Sequence, residues 1–367
     1  MEAAESTGAG GREWRRRRLR SLRLALAIFG LAVLPVLLEV TLLAHASRDG
    51  IFAIDFHQTF LPAANKLAAG HSPYPAYGYP PLVAFALVPL TFVPSPALVF
   101  TIVLALSVPG ALWLLGVRDW RCYGAAFLWA PVYHGLQTAN VTILLLLAAA
   151  CCWRYRDLPR SVALSGGLGI AAKLISWPLL VWCAATRRLS AAVGAVAVAV
   201  IVTLGLWASI GFSGLVDFPK NTNTLQKQVS PGSYTLKAVA IDAGLPAVVG
   251  TALSAILVLV VLALCIVYGR RGDDRRSFSF AVLACIVASP IVWLHSFVFL
   301  LAPVALYRPR FSAIWLLPVV LVAGSGTGNG APWQTALVLG VSALVFVGCV
   351  FREPKPDGAF RRVGRRP

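Results

Sequence analysis

Of the 14 acidic residues in the chain, most stand beside arginines in short polar connectors. Five lie apart from the main arginine clusters: Glu39, Asp49 (beside the lone Arg48), Asp55, Asp217 and Asp242. Asp55 opens the first long polar interruption, "AIDFHQTFLPAANKLAAGHSPYPAYGYPPL" (residues 53–82). A carboxylate so placed can take a proton from a hydroxyl as a general base. With Gln58 three residues on, it can also close a helix start as an N-cap in a capping box. One group can serve both roles. Glu39 lies inside an apolar run, where an acid is a functional candidate by default, or it reaches the interface or pairs with a lysine. Lys173, in "GIAAKLISWP", is the one lysine within an apolar segment. It can hold an anionic substrate, or it can snorkel to the nearer surface. His295 sits in the polar break "SPIVWLHS", placed for contact with a phosphate or sugar or else as a satisfied interior histidine. Gln137 and Asn140 occupy a second break, "GLQTAN", and Tyr79 ends the tyrosine and proline cluster before the next apolar run. His57 follows Asp55 by two, but "DFH" lacks the spacing of a metal site. The seven cysteines fall in or beside apolar stretches with neither metal nor disulfide spacing.

These residues must be positioned by membrane elements. The 367-residue chain has 58% hydrophobic and only 13% charged residues, with mean hydropathy +0.78. Apolar runs of about 17–25 residues span a bilayer as helices. Clear ones lie near 22–45, 97–117, 188–212, 246–268 and 332–350; shorter ones lie near 121–136, 139–153, 161–185, 278–306 and 311–323. The expectation is an all-α, polytopic transmembrane helical bundle of about 10–12 membrane segments, some of them short or broken hairpins. The breaks fall at "GLQTAN", "AAKLISWP" and "SPIVWLHS". The stretch 79–117 fits one crossing with a re-entrant arm, or two crossings. Between Asp55 and Gly70, apolar Phe56, Phe60, Ala63, Ala64 and Leu67 recur at helical spacing, which predicts a short amphipathic helix at the interface.

The net charge of +18 does not indicate nucleic acid. The arginines sit in short connectors and termini, as the positive-inside rule requires, and no soluble basic module remains. With the N-terminus in the cytoplasm and all arginine clusters on that side, only Arg48 falls outside. The basic start (1–21), which reads as a signal anchor leading into the first run, and the basic tail (352–367) are then cytoplasmic. They flank a membrane domain at 22–351, with outer loops at 46–79 and 213–245. A transporter or flippase is the competing reading. The spans carry few paired ionisable groups and no evident internal repeat, which argues against it.

The run from Asp55 through "FHQTFLPAANKLAAG" and "HSPY", then "YPPLVAFALVPLTFVP", "GLQTANVTILLLLAAA", "SGGLGIAAKLISWPLLVWCAATRRLSAA" and "SPIVWLHSFVFLLAP", resembles glycosyltransferase family 87. The likeness covers roughly 25–305, and the order of the motifs carries it. The resemblance implies a GT-C fold and a membrane enzyme that moves a sugar from a polyprenyl-phosphate donor, with mannose the expected sugar. The acceptor would be a cell-envelope glycolipid or glycan. It assigns the general base to Asp55 and makes His57, Tyr79, Gln137, Asn140, Lys173 and His295 candidates for substrate contact. It implies no cofactor beyond the lipid-linked substrate, and the surrounding partners are membrane lipids.

Overall fold

A computed structural model describes residues 18–19, 21–22, 24–229, 232–324 and 332–351. The basic tail and most of the basic start lie outside the described residues. Helices make up every regular element among the described residues. Five are long and apolar enough to cross a membrane: α1 (Leu24–Arg48), α4 (Pro96–Leu114), α10 (Leu189–Ala208), α13 (Ala247–Arg270) and α16 (Pro332–Val350). The shorter elements between them are α2 (Leu61–Ala68), α3 (Pro81–Leu87), α5 (Trp120–Phe127), α6 (Ala130–Gln137), α7 (Thr142–Arg154), α8 (Pro159–Ala172), α9 (Pro178–Ala185), α11 (Phe218–Val229), α12 (Leu236–Asp242), α14 (Asp274–Val287) and α15 (Leu301–Tyr307).

The breaks coincide with the polar interruptions. α8 stops because Lys173 is extended (φ −159°, ψ 124°); a 3-10 turn, Leu174–Ser176, leads to α9, which begins on Pro178. α6 and α7 are separated at residues 138–141, where Ala139 takes a left-handed φ of 51°. α14 ends at Val287, and a 3-10 run, Leu294–Leu300, carries the chain into α15. The stretch 79–117 holds two arms: α3, continued by the 3-10 turn Val88–Phe92, and α4. The amphipathic stretch after Asp55 is a π-helical turn, Phe56–Phe60, running into α2, with Phe56, Phe60, Ala63 and Ala64 buried.

Small residues let the helices close up. A Cβ on Gly167 of α8 would stand 2.6 Å from the Val198 side chain of α10, and one on Gly194 would stand 2.8 Å from that of Ala163. Such contacts let membrane helices approach closely enough to pack by dispersion. α9 and the arginine-bearing connectors that follow α7 and α9 are tied by one carboxylate at the start of α14. Asp274 accepts both guanidinium nitrogens of Arg188 at 2.9 Å and the Trp182 indole N–H at 2.7 Å. It also pairs with Arg156 Nε at 3.2 Å.

The far ends of α7 and α8 carry Thr142 and Lys173. A 13-residue helix such as α7 separates the two ends by about 20 Å. The first and second polar loops meet at that far end. Tyr74 stacks on Trp207 at 5.4 Å and meets Phe218 edge-on. Gly214 is needed there twice over: its φ is +75°, and a Cβ would come 2.3 Å from that of Tyr74. Tyr234 N–H donates to the Val292 carbonyl at 2.7 Å, tying the second loop to the break that carries His295.

Candidate active site

Two backbone bonds dock the first loop on the α6–α7 turn. Ala53 N–H donates to the Gln137 carbonyl at 2.6 Å and Asp55 N–H to the Thr138 carbonyl at 3.1 Å. Ala53 adopts a left-handed φ of 54° to do so, at a cost of about 1–2 kcal/mol for a residue with a Cβ. Ala139 carries the same strain on the other side of the seam. Both are fully buried. Strained backbone of this sort persists where its surroundings over-determine it.

The seam brings Asp55 to Asn140. The Asn140 Nδ2 donates to Asp55 Oδ2 at 2.7 Å. Asn140, 1% exposed, accepts at Oδ1 from the Thr142 N–H (3.0 Å) and hydroxyl (2.6 Å). The same hydroxyl accepts from Lys173 Nζ at 3.1 Å. Lys173 also lies 5.5 Å from the Tyr79 ring, within range of a cation–π attraction. Tyr79 packs on Phe60 at 5.2 Å, with its hydroxyl beside the Asn140 amide. Burial, and next the Asp55 charge, push the Tyr79 phenol above its usual range. It stays a neutral donor at any physiological pH.

A pair of imidazoles forms the other wall. His134 on α6 and His295 on the Leu294–Leu300 turn stack at 5.6 Å. His295 is 1% exposed, yet neither of its ring nitrogens has a partner among the described residues, nor does His134 Nδ1. A buried polar group without a hydrogen bond costs several kcal/mol in an apolar medium, so such groups are exceptional in native structures. Of the two readings of His295, the buried ring without a partner among the described residues favours contact with a ligand. Asp55 acts through charge on Tyr79, His134 and Lys173, and Lys173 acts in turn on His295.

Three readings of the sequence need correction. Asp55 does not cap a helix: its side chain makes no cap bond, because helical backbone begins at Ile54 and the carboxylate has turned to Asn140. Lys173 does not snorkel to a surface; the extended residue at the break turns its ammonium inward to Thr142. Glu39 is buried and pairs with no lysine among the described residues. It is 8% exposed, and both carboxylate oxygens lack partners among the described residues. His57 is exposed, edge-on to Phe56, and stays outside the bonded network. Gln137 contributes its backbone carbonyl to the seam. Thr142 and His134 belong to the cluster without having been singled out in the sequence. The signal that could have found them is position: each lies within six residues of Asn140, next to a polar break. No group of three or more His, Cys, Asp or Glu side chains suited to a metal ion occurs among the described residues.

The sequence matches the family model for glycosyltransferase family 87 over residues 77–296. The chain belongs to glycosyltransferase family 87. It is accordingly a polytopic membrane glycosyltransferase, acting on a sugar donor and an acceptor. No curated protein matches the chain, and no solved structure does. The family 87 match takes in Tyr79, Asn140, Thr142, Lys173, His134 and His295. Asp55 lies before it and joins it through the Asn140 bond.

Proposed function

We propose that the protein transfers a hexose, with mannose the first choice, from a polyprenyl-phosphate sugar to a hydroxyl of a cell-envelope glycolipid or glycan. Inversion occurs at the anomeric carbon and Asp55 serves as general base. The observation that carries this reading is the 2.7 Å bond from Asn140 to Asp55 Oδ2. It fixes one carboxylate oxygen and leaves the other for an incoming hydroxyl. The acceptor oxygen attacks the anomeric carbon and its proton passes to Asp55. The bond from that carbon to the phosphate oxygen breaks, and the electron pair leaves with the lipid phosphate. Lys173, His134 and the His295 ring, whose two nitrogens have no partner among the described residues, supply cationic and hydrogen-bonding groups for that anion. A phosphate is a good leaving group, so no separate general acid is required.

A groove of about 470 Å³ supports a lipid-linked donor. Its walls come from α3, α4, α7 and α8 and include Leu87, Phe100, Val141, Leu144 and Ala172. Val141 adjoins Asn140 and Thr142, and Ala172 adjoins Lys173. The apolar groove is thus lined by the chain neighbours of the polar cluster, which suits an isoprenoid tail whose phosphate head lies at the cluster. The arrangement is that of a GT-C enzyme with its site on the outer side and both termini in the cytoplasm. The opposition of the site to the Asp274–Arg188 cluster supports that sidedness.

Asp55→Asn tests the reading with purified protein and a panel of lipid-linked donors. Transfer should fall by roughly two to four orders of magnitude, with the fold retained, since Asn keeps the shape of the side chain. Glu39→Gln and Asp242→Asn should keep more activity. Near wild-type transfer by Asp55→Asn would eliminate it as the base. For sidedness, a cysteine at the exposed His71 position should react with an impermeant thiol reagent in intact cells. Reaction only after lysis would invert the topology.

A further inference from the structure

We infer that Thr142 is a positioning residue for the reaction: its hydroxyl, bonded to both Lys173 Nζ and Asn140 Oδ1, locks the Asn140 amide in the orientation that the Thr142 backbone N–H selects and so holds the Asn140 NH2 on one oxygen of Asp55, leaving the other for the acceptor. This rests on the reading of Asp55 as the base.

The hydrogens along the chain can be assigned from donor and acceptor capacity alone. The Thr142 backbone N–H can only donate, and it lies 3.0 Å from the Asn140 side chain. The oxygen of the amide must therefore face it. That sends the NH2 group to Asp55 Oδ2, at 2.7 Å. Lysine ammonium is a donor with no acceptor. At 3.1 Å from Lys173 Nζ the Thr142 hydroxyl therefore accepts, and its single hydrogen goes to Asn140 Oδ1 at 2.6 Å. Each hydrogen points the same way, from the ammonium to the carboxylate. Bonds aligned in this sense polarise one another. The chain ends on Oδ2, so Oδ1 is the oxygen free to take a proton. Thr142 is fully buried, so no bulk water competes for its hydroxyl. It also joins the donor-phosphate end of the site, through Lys173, to the acceptor end, through Asn140.

A threonine at the first position of α7 could instead serve only to fill space and start the helix. Kinetics separate the two. Thr142→Val keeps the shape and the backbone N–H but removes the hydroxyl. The expected result is a fall in kcat of roughly 10- to 100-fold, the scale of a small misplacement of a reacting group. The KM for a lipid-linked sugar donor should stay near the wild-type value, and Thr142→Ser should recover most of the rate. Thr142→Ala serves as the second variant if the valine is poorly folded. Asp55→Asn is measured in parallel. Wild-type kcat in Thr142→Val beside an inactive Asp55→Asn overturns the inference and leaves the base in place. An active Asp55→Asn removes the base, and this inference with it. A raised KM at unchanged kcat, no rescue by serine, or misfolding of both hydroxyl-free variants assigns Thr142 a structural role and also overturns it.

Discussion

Replacing Asn140 by aspartate changes one NH2 group to an oxygen and little else in shape. Both bonds that Thr142 gives to Asn140 Oδ1 can still be accepted, so the α6–α7 turn should survive. The change falls on the contact with Asp55. A donor at 2.7 Å becomes a second carboxylate at the same place. Two unit charges at that separation repel by about 6 kcal/mol at an effective dielectric constant of ~20. The nearby Lys173 ammonium offsets part of this, yet the two acids cannot both remain ionised at neutral pH; paired carboxylates share one proton. A shared proton occupies the base. Transfer by Asn140→Asp at neutral pH should therefore drop by two or more orders of magnitude. That is further than in Asn140→Ala, which merely leaves Asp55 unsupported. The sign with pH follows: raising the pH removes the shared proton and should recover part of the Asn140→Asp rate, whereas Asn140→Ala should show no such recovery. The assay is transfer from a lipid-linked sugar by purified protein across a pH series, with melting temperature as the folding control. If Asn140→Asp is as active as wild type at neutral pH, Asp55 does not work as an ionised base beside Asn140.

Two further outcomes concern stability. Asp274→Asn weakens a carboxylate that binds Arg188, Arg156 and Trp182. It should lower stability by about 2 kcal/mol, on the scale of one charged hydrogen bond, while transfer per folded molecule stays unchanged; thermal unfolding in detergent reads it. Ser95 precedes α4 with a left-handed φ of 56° and makes no side-chain cap bond. Ser95→Gly should therefore raise stability by about 1 kcal/mol, and a lowered melting temperature would contradict the strain.

The bundle and its breaks are legible because polar residues inside apolar runs carry an unmistakable cost. "GLQTAN", "AAKLISWP" and "SPIVWLHS" each mark a place where a helix does stop. What the residues do at those places depends on contacts far along the chain. The Asp55…Gln58 spacing fits a local cap, but the competitor for that carboxylate is Asn140, 85 positions away, and no local pattern announces it. Lys173 illustrates the same limit. A lysine in an apolar segment can turn either way, and the extended backbone at the break, not the composition, decides. His57 stands two residues from Asp55 on a helical turn, where neighbours two apart do not share a face, so closeness in sequence does not bring it into the bonded network. Thr142, a threonine in an apolar run, carries no local signal; its two partners, Lys173 and Asn140, give it a role.

The stacked His134–His295 pair has a consequence for how the enzyme is made. Its two halves lie 161 positions apart (134 to 295). At about 5–20 residues per second, the ribosome needs on the order of 10–30 s to supply the second ring after the first. For most of that interval, once the chain has passed Lys173, Asp55, Asn140, Thr142 and Lys173 are all present but the histidine wall has a single face. α5 and α6, eight residues each, are too short to hold a place across the bilayer alone. The stacked pair cannot form until His295 has been made. On the proposed mechanism, a chain released before residue 295 would carry Asp55 without the second imidazole offered to the lipid phosphate, so catalytic competence waits for His295.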